Sequence, residues 1–280
     1  MSKDLTRQLV VVSCAVLAVA ASAVGSGAFG GTPIQQVSGG ALAADATRIA
    51  PAGPAFSIWS IIYLGLVALA VWQLLPAHRE DRRQRRVGYP IAASMLLNAA
   101  WILSVQFDLL LLSVPVIIAL LAVLGWIFAA LLRERPSALV EAIVVDGTIG
   151  LYLGWVCVAT AANITAVLVA VGFRGFGINP DLWAVVVVLV AGAVGVLLAV
   201  RGRGRLAPAA ALCWGLTWVA VARLTGNPAS TPTAISALLV VAAVLSITVA
   251  IRLHSTGNEG PLTRSAPQSR TTENKTRFSS

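Results

Sequence analysis

Three stretches of this 280-residue chain set aromatic rings and carboxamides at helical spacing. In Pro51-Ala-Gly-Pro54-Ala-Phe56-Ser-Ile-Trp59-Ser-Ile-Ile-Tyr63 the prolines suit the start of a helix, and Phe56, Trp59 and Tyr63 recur at i, i+3 and i+7, on one face. A second stretch opens with Tyr89-Pro90 and continues to Asn98 and Trp101, an amide and an indole side by side one turn apart. The third places Tyr152, Trp155, Ala159 and Asn163 at i, i+3, i+7 and i+11, again one stripe. The chemistry open to such side chains is non-covalent. They can line a pocket, but Trp and Tyr also serve in the interfacial belt of any membrane protein, which accounts for Tyr89, Trp183 and Tyr63 without a ligand. A buried amide also joins helices, with contacts worth about 0.6 to 2 kcal/mol.

Other chemistry has little to stand on. His78 and His254 fall outside the apolar runs, and Cys14, Cys157 and Cys213 are scattered one per run, so a zinc site, a histidine triad and a disulfide framework are not expected. Glu141 and Asp146 precede an apolar run and read as interfacial carboxylates or as carboxylates paired with the nearby Arg133 and Arg135. Their five-residue spacing puts them on different faces of an α-helix, which argues against a paired-carboxylate enzyme. Asp108 reads as a turn residue.

The elements that must carry these residues are membrane helices. A composition 58% hydrophobic and 11% charged, with mean hydropathy +0.87, describes an integral membrane protein. The apolar stretches are continuous rather than alternating, so the fold class is all-α, a polytopic helical membrane protein with about eight transmembrane helices. The expected spans are 9–29, 56–75, 90–106, 109–132, 147–171, 182–200, 206–223 and 233–251. The first run is longer than the apolar core of a cleavable leader.

The charge of +9 is topological. Lys3 and Arg7, the gap Arg79–Arg86, Arg133 and Arg135, Arg201, Arg203 and Arg205, and the basic residues after Arg252 all fall on one side of an eight-span chain. Arg48, Arg174 and Arg223 fall on the other. The positive-inside rule then puts both termini in the cytoplasm and the chain in the inner (plasma) membrane, with anionic lipid headgroups, not nucleic acid, as partners of the basic side.

In the order and placement of its three motifs the chain resembles the tryptophan-rich sensory protein family, TspO/MBR, bacterial relatives of the mitochondrial translocator protein. That family has five helices. It carries Trp-x-Pro-Pro followed by Phe, Trp and Tyr at the start of the second, Asn-x-x-Trp in the third, and Pro-Tyr-x-x-Trp with Ala and Asn in the fifth. Here Tyr152, Trp155, Ala159 and Asn163 match the fifth helix, with Leu151 in place of the proline, and Asn98 and Trp101 match the third. Pro51 and Phe56 match the second. There Ile49 stands for the loop tryptophan, Ala52 for the second proline, and Trp59 comes one residue early.

The resemblance covers about residues 8–172 and implies that the first five helices form a TspO-like bundle, 1–172. Three additional transmembrane helices would follow over 173–254, then a disordered cytoplasmic tail, 255–280. It implies binding of a flat, apolar ligand such as a porphyrin, haem or a sterol-like molecule, with no cofactor required. The ligand-binding residues implied are Phe56, Trp59, Tyr63, Asn98, Trp101, Tyr152, Trp155, Ala159 and Asn163, where indole and phenol faces would stack on a ring and amides reach its polar edge. With no histidine inside the spans, imidazole cannot ligate iron, so the ring rather than the metal would be recognised. The role expected is sensing or transport-related binding rather than enzymatic, and a homodimer is a candidate assembly. The alternative is a multi-span transporter of a small lipophilic substrate. It would call for charged or broken helices at the bilayer midplane, where only glycines such as Gly125, Gly192 and Gly195 are found. Trp214 and Trp218 are expected to pack the added helices.

Overall fold

Apolar runs of bilayer length can satisfy their backbone polar groups only by coiling on themselves. The computed structural model of the chain describes residues 3–25 and 32–257, and among these it holds helices and turns but no strand. Eight helices are long and apolar enough to cross a membrane. They are α1 (Lys3–Gly25), α2 (Ile58–Leu74, led in by a 3-10 turn Gly53–Ser57), α3 (Arg82–Gln106), α4 (Leu110–Leu132), α5 (Leu139–Ala170), α6 (Pro180–Arg201), α7 (Leu206–Thr225) and α8 (Thr231–Gly257). The eight-span, all-helical reading holds. The first span's expected end at Phe29 lies outside the described residues, as does the tail beyond Gly257.

Three helices begin well before hydropathy ends their spans. α1 starts at Lys3, α3 at Arg82 rather than Pro90, and α5 at Leu139 rather than Gly147, so Pro90 lies inside α3 and does not open it. The extra turns carry charged residues, and they persist because those charges are paired within the bundle, as described below. Asp81 caps α3, its carboxylate accepting from the Arg83 backbone N–H at 2.7 Å.

The inner layer is α3, α5 and α7, each with 56–61% of its membrane window buried, against 28–39% for the other five. α3 packs between α1 and α4, α5 against α2, α4 and α7, α7 against α8, and α8 against α6. Helices in lipid associate through close packing rather than hydrophobic exclusion, and small residues permit it. Gly154 of α5 faces the Pro208 backbone of α7 so closely that a Cβ would overlap the Pro208 carbonyl. At Gly150 one would meet Ala207 and Pro208 at 2.8–2.9 Å. The seventh helix is therefore docked on the fifth backbone to backbone.

The α1–α2 connection is also tied down. Arg223 of α7 is 1% exposed and donates to the carbonyls of Pro228, at 2.8 Å, and Ala44. Arg48 pairs with Asp181 of α6 at 2.6 Å, and the Ala52 N–H donates to the Trp218 carbonyl. Ile49, standing where the family's loop tryptophan is expected, is buried beside Val158 and Leu216.

Candidate functional site

The aromatic residues of α2 and α5 meet. Trp59 stacks on Tyr63, with centroids 5.4 Å apart and planes 25° apart, and stands edge-on to Tyr152 at 5.9 Å and Trp155 at 6.2 Å. Phe56 stands edge-on to Trp155 at 5.7 Å. Edge-to-face contacts at these separations are the favoured arrangement for rings that carry a negative face and a positive edge. Tyr152 and Trp155 are fully buried beneath the cluster, whereas Phe56, Trp59 and Tyr63 are half-buried.

Hydrogen bonding divides the two amides. Asn98 Nδ2 donates to Tyr63 Oη at 2.6 Å, and Asn98 Oδ1, fully buried, has no partner. Trp155 Nε1 is likewise buried without an acceptor, while Tyr152 Oη donates to the Ser94 carbonyl at 3.2 Å. One unsatisfied acceptor and one unsatisfied donor thus belong to residues at the same aromatic cluster. Such groups cost about 1–3 kcal/mol each unless something pairs with them. Asn163 is satisfied instead. Its Oδ1 accepts from Trp101 Nε1 at 3.1 Å and its Nδ2 donates to Ser113 Oγ at 2.9 Å, joining α3, α4 and α5.

The nine expected residues therefore fall into two groups. Phe56, Trp59, Tyr63, Asn98, Tyr152 and Trp155 are brought together in one cluster, and Ala159 sits half-buried one turn further along α5. Trp101 and Asn163 form a separate pair. Trp155 stands against Trp59, whereas Trp101 turns its Nε1 to Asn163. Trp214 and Trp218 stand edge-on at 5.6 Å, and Trp214 Nε1 donates to the Ala55 carbonyl at 2.9 Å. They pack, as expected, and in doing so they hold the turn that carries Phe56.

Roughly 9 Å along α5 from Tyr152, counting six residues at about 1.5 Å each, Glu141 and Asp146 are paired with arginines, as the sequence suggests, but in a buried cluster with other partners. Arg83 Nη1 donates to Glu141 Oε1 at 2.9 Å and Arg83 Nη2 to Asp146 Oδ1 at 2.6 Å. Arg205 donates to the same Asp146 oxygen, with its guanidinium 5.9 Å from the Phe128 ring centroid. Both arginines also reach the Leu131 carbonyl at the end of α4, at 3.4 and 3.3 Å. Glu141 Oε2 accepts from the Ser137 N–H and Oγ, each at 2.7 Å. The expected partners Arg133 and Arg135 are corrected to Arg83 and Arg205. The different-faces expectation is corrected as well. Residues 142–147 are π-helical, and bonding from i to i+5 brings residues five apart nearly onto one face, so a single guanidinium spans both carboxylates. Asp108 is the turn residue expected, with φ at 57°.

Sequence reasoning missed Ser94, Ser113, Arg83 and Arg205. Ser113 carried a usable signal, as a hydroxyl within an otherwise apolar span.

Against known protein families, residues 8–251 match the family model described as TSPO-like protein. The match runs past residue 172 and through the last three spans. No curated protein and no solved structure matches the chain.

Proposed function

The chain belongs to the TSPO-like family, and on that premise we propose that it binds a flat, apolar ring compound of the porphyrin class within the membrane. The role is sensing or transport-related rather than enzymatic. What supports this most is the pair of unpartnered buried groups, Asn98 Oδ1 and Trp155 Nε1, within a cluster otherwise made of ring faces and edges. A planar ligand with both donor and acceptor atoms would satisfy them and offer its faces to the indoles. Trp59 lies against both Tyr152 and Trp155, so the ligand takes its place on those rings by moving Trp59 and the start of α2 aside.

Neither histidine lies mid-span. His78 stacks on Trp72 at 4.0 Å next to the α2–α3 turn, and His254 is exposed near the end of α8. Recognition therefore runs through the ring and its edge, and free-base and metallated porphyrins bind alike. The transporter reading has less support, because the buried charges, Arg7, Arg83, Glu141, Asp146 and Arg223, lie toward helix ends rather than at mid-span. The charge separation of the sequence supports both termini in the cytoplasm and a plasma-membrane location.

Absorbance titration of the purified protein with protoporphyrin, haem and a sterol tests the proposal. A saturable shift with protoporphyrin and haem supports it, and its absence with monodisperse protein overturns it.

A further inference from the structure

Away from the aromatic cluster, at the arginine-rich end, α1 and α3 enclose a cleft of about 460 Å³ lined by Lys3, Asp4, Thr6, Arg7, Arg85 and Tyr89. Three cations face one carboxylate there. Arg85 grips Asp4 with Nε at 2.8 Å and Nη2 at 2.7 Å. Arg7 Nη1 reaches the same carboxylate at 3.3 Å, and its Nη2 donates to the Arg79 carbonyl at 2.8 Å. These contacts fix two guanidinium groups and leave a surplus of positive charge. Arg7 is 2% exposed, yet its Nε has no partner. Its stem lies against Gly88, where a Cβ would meet Arg7 Cδ at 2.7 Å, so the glycine is what admits a guanidinium at this depth. A buried cationic donor without an acceptor, in a cleft with excess positive charge, is built for an anion.

The flanking surface narrows the choice of anion. From the cleft, exposed apolar residues continue along both helices: Leu9 and Val16 on α1, Leu96 and Leu103 on α3. Tyr89 is half exposed at the rim, where a phenol suits the headgroup level. A charged cleft with apolar strips running from it has the outline of a phospholipid. We infer that the cleft between α1 and α3 is a specific site for the phosphate headgroup of an anionic phospholipid, with its acyl chains lying on those strips. This goes beyond the general attraction of a basic surface for acidic lipid, because it places one lipid at one position, and it does not depend on what binds the aromatic cluster.

Native mass spectrometry of the full chain released from detergent tests the site, with phosphatidylglycerol, phosphatidylcholine and glycerol phosphate as probes. Phosphatidylglycerol should be retained in preference to phosphatidylcholine. Lys3→Gln, an exposed change that leaves the core intact, should weaken retention roughly fivefold, and Lys3→Gln with Arg85→Gln roughly thirtyfold, at about 1 kcal/mol per basic residue. Arg133→Gln with Arg201→Gln removes as many charges from the same end outside the cleft and should change retention little. If both double variants lose the lipid equally, the attraction is diffuse and the site is overturned. If glycerol phosphate competes as well as the lipid, the cleft takes free phosphate and the assignment to lipid is overturned. Should the Lys3–Arg85 double variant melt early, Lys3→Gln alone decides.

Discussion

Arg83 and Asp146 are 63 positions apart in the chain and meet guanidinium to carboxylate at 2.6 Å, both almost fully buried. Burying two charges is costly, and removing one partner strands the other. Arg83→Gln leaves both Glu141 and Asp146 short of a partner and should cost about 3–5 kcal/mol of stability. Arg205→Gln, at a more exposed arginine, should cost less, and Arg86→Gln, whose pair with Glu134 is exposed and 3.4 Å long, no more than about 1 kcal/mol. Thermal unfolding in detergent should rank the three in that order. Equal melting temperatures for the Arg83 and Arg86 variants would show that the buried cluster is not what holds this end together.

Gly154 and Gly125 are both helical glycines, but one abuts the Pro208 backbone and the other has open space where a Cβ would go. Gly154→Ala should force α5 and α7 apart and cost about 1–3 kcal/mol. Gly125→Ala should be neutral or stabilising by up to about 1 kcal/mol through helix propensity. A Gly154→Ala protein that melts with the parent would mean that this helix contact is looser than described.

Trp155→Ala should weaken porphyrin binding by about 1–3 kcal/mol, the range for stacking on an aromatic side chain in nucleic-acid binders, used here by analogy. Trp183→Ala, whose indole Nε1 instead bonds the Gly175 carbonyl, should do little. Both variants must first be shown to be monodisperse with similar melting temperatures. A well-folded Trp155→Ala protein with the parent's affinity would reduce the stripe on α5 to helix packing.

The two amides should behave oppositely. Asn163→Leu removes bonds to Trp101 and Ser113 and should lower stability by about 0.6 to 2 kcal/mol while leaving ligand affinity unchanged. Asn98→Leu removes the carboxamide whose Oδ1 has no protein partner, and should lower affinity more than stability. The reverse pattern in paired melting and absorbance titrations would relocate the site.

Reporter fusions in the segment 79–86 and after Ser280 should both read cytoplasmic. Opposite readings would sink the eight-span topology.

Much of this architecture is legible because it depends on local periodicity. Hydropathy alone separates eight runs, and the spacing of Phe56, Trp59 and Tyr63, or of Tyr152 and Trp155, assigns each set to one helix face. What stays hidden depends on contacts between distant segments or on a local change of helical phase. Arg83, Glu141 and Asp146 look like the ends of spans because the partners that bury them lie 58 and 63 positions away in the chain, so the reading stops α3 and α5 eight residues short at their starts. The π turn over 142–147 then shifts the face on which Asp146 falls. Asn98 and Asn163 look equivalent in sequence, and what tells them apart is that Trp101 Nε1 satisfies the Oδ1 of Asn163 while the Oδ1 of Asn98 has no partner. Gly154 is one glycine among 24, and its role follows from the helix that lies against it.

The bond from Arg205 to Asp146 spans 59 positions, and chains are made from the N-terminus onward. When α5 first leaves the ribosome, Asp146 has Arg83 to hold but not yet Arg205, and the groove at Gly150 and Gly154 has no helix in it. Both vacancies are filled by the same event, the arrival of α7, with Arg205 just before its first turn and Pro208 within it. Assembly of the fifth helix is thus deferred until the seventh is synthesised. A chain halted after α6 would present a half-paired carboxylate and an open glycine face to whatever guards quality in the membrane.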